Sequence, residues 1–96
     1  MEDLQLSPEG GAIRAVLDGF YDASGKLPCQ IDGGLKCFGH PIGASGLRMI
    51  YEMYLQLQGR ADERQRGGPV FGMTHNLGGF PSQNVSSIAI VGQYGA

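Results

Sequence analysis

The sequence predicts an α/β fold that is incomplete as a domain, and three observations lead to it. A helical pattern covers residues 44–59 and is apolar on nearly every side. Two apolar segments, near residues 69–74 and 85–91, have the length and composition of strands. A chain of 96 residues is too short to cover such a helix all round. We therefore expect residues 1–96 to form part of a larger fold, in which a buried helix packs on a mixed sheet.

The first predicted element is a short helix that begins near Ser7. Ser7 is a favourable N-cap residue, and Pro8 suits the first helical position. Gly10 and Gly11 weaken the pattern, because each costs about 1 kcal/mol relative to alanine inside a helix. Apolar residues then recur at spacings of three and four, as one face of a helix requires: Ile13, Val16, Leu17 and Phe20.

The next segment, residues 33–46, is a glycine-rich loop. Within residues 32–46, six of 15 positions are glycine or proline, so most of the segment is not expected to be regular. The pattern changes at Ala44, where the long helix begins and runs to Gly59. Its polar side chains form one narrow stripe of Arg48, Glu52 and Gln56. Because the rest is largely apolar, we expect this helix to be buried.

Composition and charge exclude several classes of function. The net charge is −2 and there is no basic run, so we expect no nucleic-acid partner. No apolar stretch approaches the roughly 20 residues needed to span a bilayer, so we expect no membrane contact. The chain does not start like a secretory signal, and its two cysteines are expected to be reduced thiols. A cytoplasmic location follows as an expectation.

His40 is the first candidate for chemistry, within the segment GHPIGASG of residues 39–46. Pro41 favours an extended conformation at His40 and can itself begin a helix. His40 would then lie at the positive end of the helix dipole, which disfavours an imidazolium and leaves a ring that can accept a proton. The alternative is a histidine whose hydrogen bonds are satisfied by its neighbours beside a glycine turn.

The second candidate is the segment THNLGG of residues 74–79. A strand that ends in polar residues and a Gly-Gly turn can direct backbone N–H groups into a cavity, as an oxyanion hole requires. The alternative is an ordinary turn at the end of a strand. A metal site is a weaker hypothesis, because its potential ligands lack the paired C-x-x-C spacing of zinc modules: Cys29, Cys37, His40 and His75. We expect no metal.

Together these segments resemble the C-terminal end of the thiolase family. The run GGLKCFGHPIGASGLRMIYEMYLQLQGRA is similar to the family's Gly-His-Pro-x-Gly-x-(Ser/Thr)-Gly segment and the helix after it. THNLGG and the later VSSIAIVG resemble the final turn and strand of the family. The resemblance covers roughly residues 25–92. The Asn-Leu-Gly-Gly variant resembles the sterol-carrier-protein-type thiolases and the bacterial acetyl-CoA acetyltransferases.

The resemblance implies a role for three residues. His40 matches the histidine that activates the nucleophilic cysteine, and Gly78 lies where a backbone N–H contributes to the oxyanion hole. Asn76 stands near the position of a second, acid/base cysteine in other thiolases. The nucleophilic cysteine loop and a His-Asp-Cys-Phe motif are absent from this sequence, and Cys29 and Cys37 match neither.

The implied activity is two-step acyl transfer through a cysteine thioester, with coenzyme A thioesters as substrates and no further cofactor. The expected partner is the remainder of the thiolase polypeptide or a partner subunit, and the resemblance implies a homo-oligomeric parent. The chain is expected to be inactive alone. Two alternatives stay open: a non-catalytic split subunit that completes a partner's active site, and a fragment of a thiolase-like retro-aldolase of steroid side chains.

Overall fold

A computed structural model describes residues 1–95 of the chain. The α/β class is confirmed, because helices are combined with a two-stranded sheet. The chain divides into two compact units, residues 1–31 and the part that begins at Asp32. None of the helices in the described residues is long and apolar enough to cross a membrane.

The first unit contains one short helix, α1 (Ala12–Leu17). The predicted start at Ser7 is wrong: the side chain of Ser7 is buried and hydrogen-bonded to the Tyr21 hydroxyl, so it cannot cap a helix. The carboxylate of Glu2 accepts a hydrogen bond of 3.0 Å from the backbone N–H of Ala12 instead. This bond and one from Gly10 lower the pKa of Glu2 below its usual value.

The second unit begins with two helices and a short 3₁₀ turn. Helix α2 (Gly34–Phe38) lies inside the loop of residues 33–46, so part of that loop is regular. Helix α3 (Ser45–Leu57) corresponds to the helix expected over residues 44–59, with Ala44 as N-cap and Gln58 as C-cap. The 3₁₀ turn (Asp62–Arg64) follows in the polar connection.

Two strands complete the second unit as an antiparallel hairpin. Strand β1 (Phe71–Phe80) pairs with β2 (Gln83–Gly92), and Phe80 lies opposite Gln83 at the end of the ladder. The described strands are thus antiparallel, where a mixed sheet was expected. The predicted end of the strand at Thr74 and the predicted turn at Gly78-Gly79 are also wrong, because β1 continues to Phe80. The turn is Pro81-Ser82, where proline lacks the N–H that would extend the ladder.

Helix α3 packs against one face of β1 and runs antiparallel to it. A Cβ added at Gly72 would lie 2.7 Å from Sδ of Met53, and one added at Gly46 would lie 3.7 Å from Nδ2 of Asn76. The helix therefore passes from Asn76 toward Gly72 as the strand passes the other way. The absent side chain of Gly72 is what permits this close approach.

The polar stripe of α3 is the side that the chain itself buries. Glu52 and Gln56 are only 6% and 4% exposed. Both oxygens of Glu52 accept hydrogen bonds from the Arg64 guanidinium, which raises the pKa of Arg64. Gln56 donates to the backbone carbonyl of Arg64 and accepts from the backbone N–H of Arg66. These hydrogen bonds and the ion pair hold the connection of residues 60–66 against the polar stripe of the helix.

The apolar faces of the second unit remain largely uncovered. Leu47 is 70% exposed and Tyr51 is 58% exposed, so the helix expected to be buried is open to solvent on these sides. The reason is that the hairpin and the connection of residues 60–66 cover other sides of α3 and leave these two side chains without a neighbour in the described chain. The hairpin likewise exposes large apolar side chains by a third or more: Phe71, Met73, Leu77, Phe80, Val85, Ile88 and Ile90.

Candidate functional site

The backbone around His40 is shaped by Gly39, which ends helix α2. Gly39 has φ 74° and ψ −174°, a conformation that is essentially restricted to glycine. A side chain at this position would strain the backbone just before His40. The sequence Gly-His-Pro therefore lies between α2 and α3, and His40 is exposed there.

The side chain of His40 is held by the first turn of α3. Its Nδ1 lies 2.8 Å from Oγ of Ser45, and this Oγ lies 3.1 Å from the carbonyl oxygen of Pro41. Ser45 is 5% exposed, so its hydroxyl has little access to water. The same carbonyl of Pro41 also accepts the backbone N–H groups of Ala44 and Ser45, at 2.9 and 3.0 Å. The histidine is thus fixed through one ring nitrogen to the start of a helix.

An ion pair closes the loop that carries His40. Asp32 precedes the loop, Arg48 follows it on α3, and their side chains are paired and mostly buried. The Arg48 guanidinium also lies 4.7 Å from the ring centroid of Phe38, within the range of a cation–π contact. Arg48 therefore ties together residues before, within and after the loop. These contacts restrict the position of His40 relative to α3.

Asn76 lies next to the same helical turn, from the side of the strand. Its Nδ2 is the atom nearest to the position a Cβ would take at Gly46, the residue after Ser45. Asn76 is half-buried and pairs with Ser87 across the hairpin. The structure therefore brings Asn76 to the turn of α3 whose Ser45 contacts His40.

Gly78 lies two residues beyond Asn76 on β1, paired with Val85. Residues two apart point to the same face of a strand, so Gly78 is on the face that packs against α3. One such step is about 7 Å along a strand, which carries Gly78 past the first turn of the helix. A Cβ at Gly78 would meet nothing within 4 Å, so the space in front of it is open among the described residues.

The remaining residues considered for chemistry have surroundings of their own. His75 lies on the other face of β1, and its Nε2 is 2.8 Å from Oγ of Ser86. Cys29 is in the first unit, where burial raises the pKa of its thiol. Cys37 is an exposed free thiol on α2. Within residues 1–95, no three His, Cys, Asp or Glu side chains are grouped to hold a metal ion.

Ser45 is the residue at this site that the sequence-based hypotheses missed. A serine in the first turn of a helix can hydrogen-bond the carbonyl four residues earlier, and Pro41 occupies that position. The spacing His-Pro-x-x-x-Ser therefore carried a signal, because the same hydroxyl comes within reach of the histidine ring.

Comparisons with known proteins agree with the predicted family. The family model for a thiolase C-terminal domain-like region matches residues 1–91. An acetyl-CoA acetyltransferase of Methanothermobacter thermautotrophicus is 44% identical over 79 residues, which are 82% of this chain and 21% of that protein. Sterol carrier protein 2 of Homo sapiens is 42% identical over 77 residues, which are 80% of this chain and 14% of that protein.

A benzoylsuccinyl-CoA thiolase subunit of Thauera aromatica is 35% identical over 79 residues, covering 81% of this chain and 20% of the subunit. No solved structure matches the chain. The chain spans about a fifth of the length of the acetyl-CoA acetyltransferase it matches, and less of sterol carrier protein 2. The resemblance found in the GHPIGASG and THNLGG segments is thereby confirmed. The chain belongs to the thiolase family, of which it carries the C-terminal domain-like region.

Proposed function

We propose that this chain supplies His40, an oxyanion-hole N–H from Gly78 and the side chain of Asn76 to a thiolase-type acyltransferase. The nucleophilic cysteine comes from the remainder of the thiolase polypeptide. The observation that carries the proposal is the contact of His40 with Ser45 at the start of α3, which fixes the ring while leaving His40 exposed. A residue held in this way can serve a thiol supplied by another segment.

The first half-reaction forms an acyl-enzyme. Nε2 of His40 accepts the proton of the cysteine thiol, and the thiolate attacks the thioester carbonyl of an acyl-CoA. The carbonyl oxygen becomes an oxyanion, which the N–H of Gly78 stabilises once it is released from its pairing with Val85 in the hairpin. When the tetrahedral intermediate collapses, the C–S bond to coenzyme A breaks and the imidazolium returns its proton to the leaving thiolate. The products are an acyl-cysteine and free coenzyme A.

The second half-reaction removes the acyl group from the cysteine. In the synthetic direction, the acid/base cysteine expected in the remainder of the polypeptide removes an α-proton from acetyl-CoA. The resulting carbanion attacks the acyl-cysteine, the C–S bond to the cysteine breaks, and 3-oxoacyl-CoA and the free cysteine thiolate are formed. In the degradative direction, the acyl-cysteine forms by cleavage of 3-oxoacyl-CoA with acetyl-CoA as the protonated leaving group, and the thiolate of coenzyme A then removes the acyl group as acyl-CoA. Asn76 lies by the start of α3, near the position where other thiolases are expected to carry an acid/base cysteine. Asparagine does not exchange a proton under these conditions, so its role here is hydrogen bonding to the substrate.

The exposed apolar side chains of α3 support a contact with the remainder of the thiolase polypeptide. Large apolar patches on a protein surface mark binding regions. Leu47 and Tyr51 on α3 present one such patch. We assign it to contact with the other part of a thiolase, since the chain matches only about a fifth of its relatives. The proposal places the reaction in the cytoplasm, where the two thiols stay reduced.

A hybrid enzyme tests the proposal. In it, this chain replaces the segment that it matches in the acetyl-CoA acetyltransferase of Methanothermobacter thermautotrophicus. We expect acetyl-CoA-dependent acyl transfer from the hybrid, a loss of at least about 100-fold on His40→Ala, and no turnover from the isolated chain. His75→Ala is the matched control, because that histidine lies on the other face of β1, and it should keep its activity. A folded hybrid whose activity does not depend on His40 would contradict the proposal.

A further inference from the structure

The hydroxyl of Ser45 lies within hydrogen-bond distance of two groups. One is the Pro41 carbonyl oxygen, which can only accept, at 3.1 Å. The other is Nδ1 of His40, which can donate or accept, at 2.8 Å. A serine hydroxyl has one hydrogen, so it can donate to only one of them.

Because the Pro41 carbonyl oxygen can only accept, it determines which partner receives the hydrogen of the Ser45 hydroxyl. If the hydroxyl donated to the ring, its oxygen and the Pro41 oxygen would face each other at 3.1 Å with no hydrogen between them. Two acceptors at that distance repel, and Ser45 is too buried for water to compensate. If the hydroxyl donates to the carbonyl, its lone pair accepts a hydrogen from Nδ1 and both contacts are satisfied.

We infer that Ser45 is a positioning residue that fixes the tautomer of His40, with the hydrogen on Nδ1 and a free lone pair on Nε2. This inference rests on the proposed function for its catalytic meaning. Nε2 is then the only ring atom able to take a proton from a thiol, and Nδ1–H stays bonded to Ser45 throughout the transfer. A histidine side chain in water prefers the opposite tautomer, so the hydroxyl holds the ring in the form that the reaction needs.

The direct test is ¹H–¹⁵N correlation NMR of the full, ¹⁵N-labelled chain, at a pH where histidines are neutral. Two- and three-bond correlations distinguish the tautomers of a histidine, and a His75→Ala variant assigns the His40 signals. We expect His40 to carry its hydrogen on Nδ1. Finding the hydrogen on Nε2 in the unaltered chain would overturn the inference without requiring any variant at Ser45 to fold.

Two substitutions separate positioning from a purely structural role. Ser45→Ala should shift His40 toward the Nε2–H tautomer while the amide spectrum of α3 is retained, and Ser45→Thr should preserve the Nδ1–H form because it keeps a hydroxyl. An unchanged tautomer in Ser45→Ala would contradict the role of Ser45.

The hybrid enzyme then links the tautomer to catalysis. There, Ser45→Ala should lower kcat at least about 10-fold with little change in KM, and Ser45→Thr should restore most of it. Full activity in Ser45→Ala would overturn the catalytic role of Ser45. If the unaltered hybrid were folded but inactive, the proposed function would fail, and the NMR result on the chain would still decide the tautomer.

Discussion

The two faces of helix α3 are built in opposite ways. The inner face carries Arg48, Glu52 and Gln56, which make hydrogen bonds or ion pairs within the chain. Met53 lies beside them and packs against Gly72 of β1. The outer face, represented by Leu47 and Tyr51, is apolar and exposed. In an isolated globular domain the apolar face would be expected inside.

The polar inner face and exposed apolar face of α3 indicate which interactions stabilise the second unit. Within the described residues no large side chain is fully buried, so hydrophobic burial contributes less than usual. Specific polar contacts position the loop of residues 33–46 and the connection of residues 60–66 around α3. The apolar face is then free to contact another segment, which is the arrangement that the proposed function requires.

The largest expected effect on stability comes from removing the carboxylate of Glu52 on the inner face of α3. Glu52→Ala removes the acceptor of the Arg64 guanidinium and one partner of Gln56. Since Arg64 is partly exposed and regains water, we expect a loss of about 2 kcal/mol in the free energy of unfolding, toward the lower end for bonds to charged groups. Urea denaturation of the full chain, followed by circular dichroism, measures it.

Two variants sharpen this prediction. Glu52→Gln keeps one acceptor oxygen for Arg64, so it should reduce the free energy of unfolding by less than Glu52→Ala does. Leu47→Gln places a polar side chain on the outer face, where Leu47 is 70% exposed. It should change the free energy of unfolding of the chain by less than about 0.5 kcal/mol. If Leu47→Gln destabilised the chain more than Glu52→Ala, the assignment of the two faces would be wrong.

A smaller effect is expected where α3 meets the sheet. Gly72→Ala would place a Cβ 2.7 Å from Sδ and 2.9 Å from Cβ of Met53, so helix and strand must separate slightly. We expect a loss of about 1–2 kcal/mol in the same denaturation experiment. The matched control is Gly78→Ala on the same face of β1, where a Cβ meets nothing within 4 Å. Equal stability of the two variants would argue against the close packing of α3 on β1.

Local patterns predicted α3 closely, but they missed α2 and the length of the strands. The spacing of residues 44–59 predicted α3 to within two residues of its ends, and the polar stripe was visible in the sequence. The strand limits were less accurate, because Thr74-His-Asn-Leu-Gly-Gly reads as a turn by composition. Pairing with β2 overrides that tendency, and the glycines are accommodated inside the strand.

The candidate site was predictable only in part. Pro41 follows His40 directly, so the sequence predicted the histidine at or just before a helix start, and α3 begins at Ser45. The contact between the turn at Gly46 and Asn76 was not predictable, since it depends on how a strand 30 residues later packs on the helix. Ser7 failed as an N-cap for the same reason, because its tertiary bond to Tyr21 outweighs a local signal.

The central claim is that the outer face of α3 is covered by the remainder of a thiolase, and Leu47→Gln tests it most directly. The free energy of unfolding is measured for this variant twice, in the isolated chain and in the hybrid enzyme. We predict less than about 0.5 kcal/mol of change in the chain and at least about 2 kcal/mol of loss in the hybrid, because a buried amide without partners is costly. An equally small change in both proteins would contradict the account.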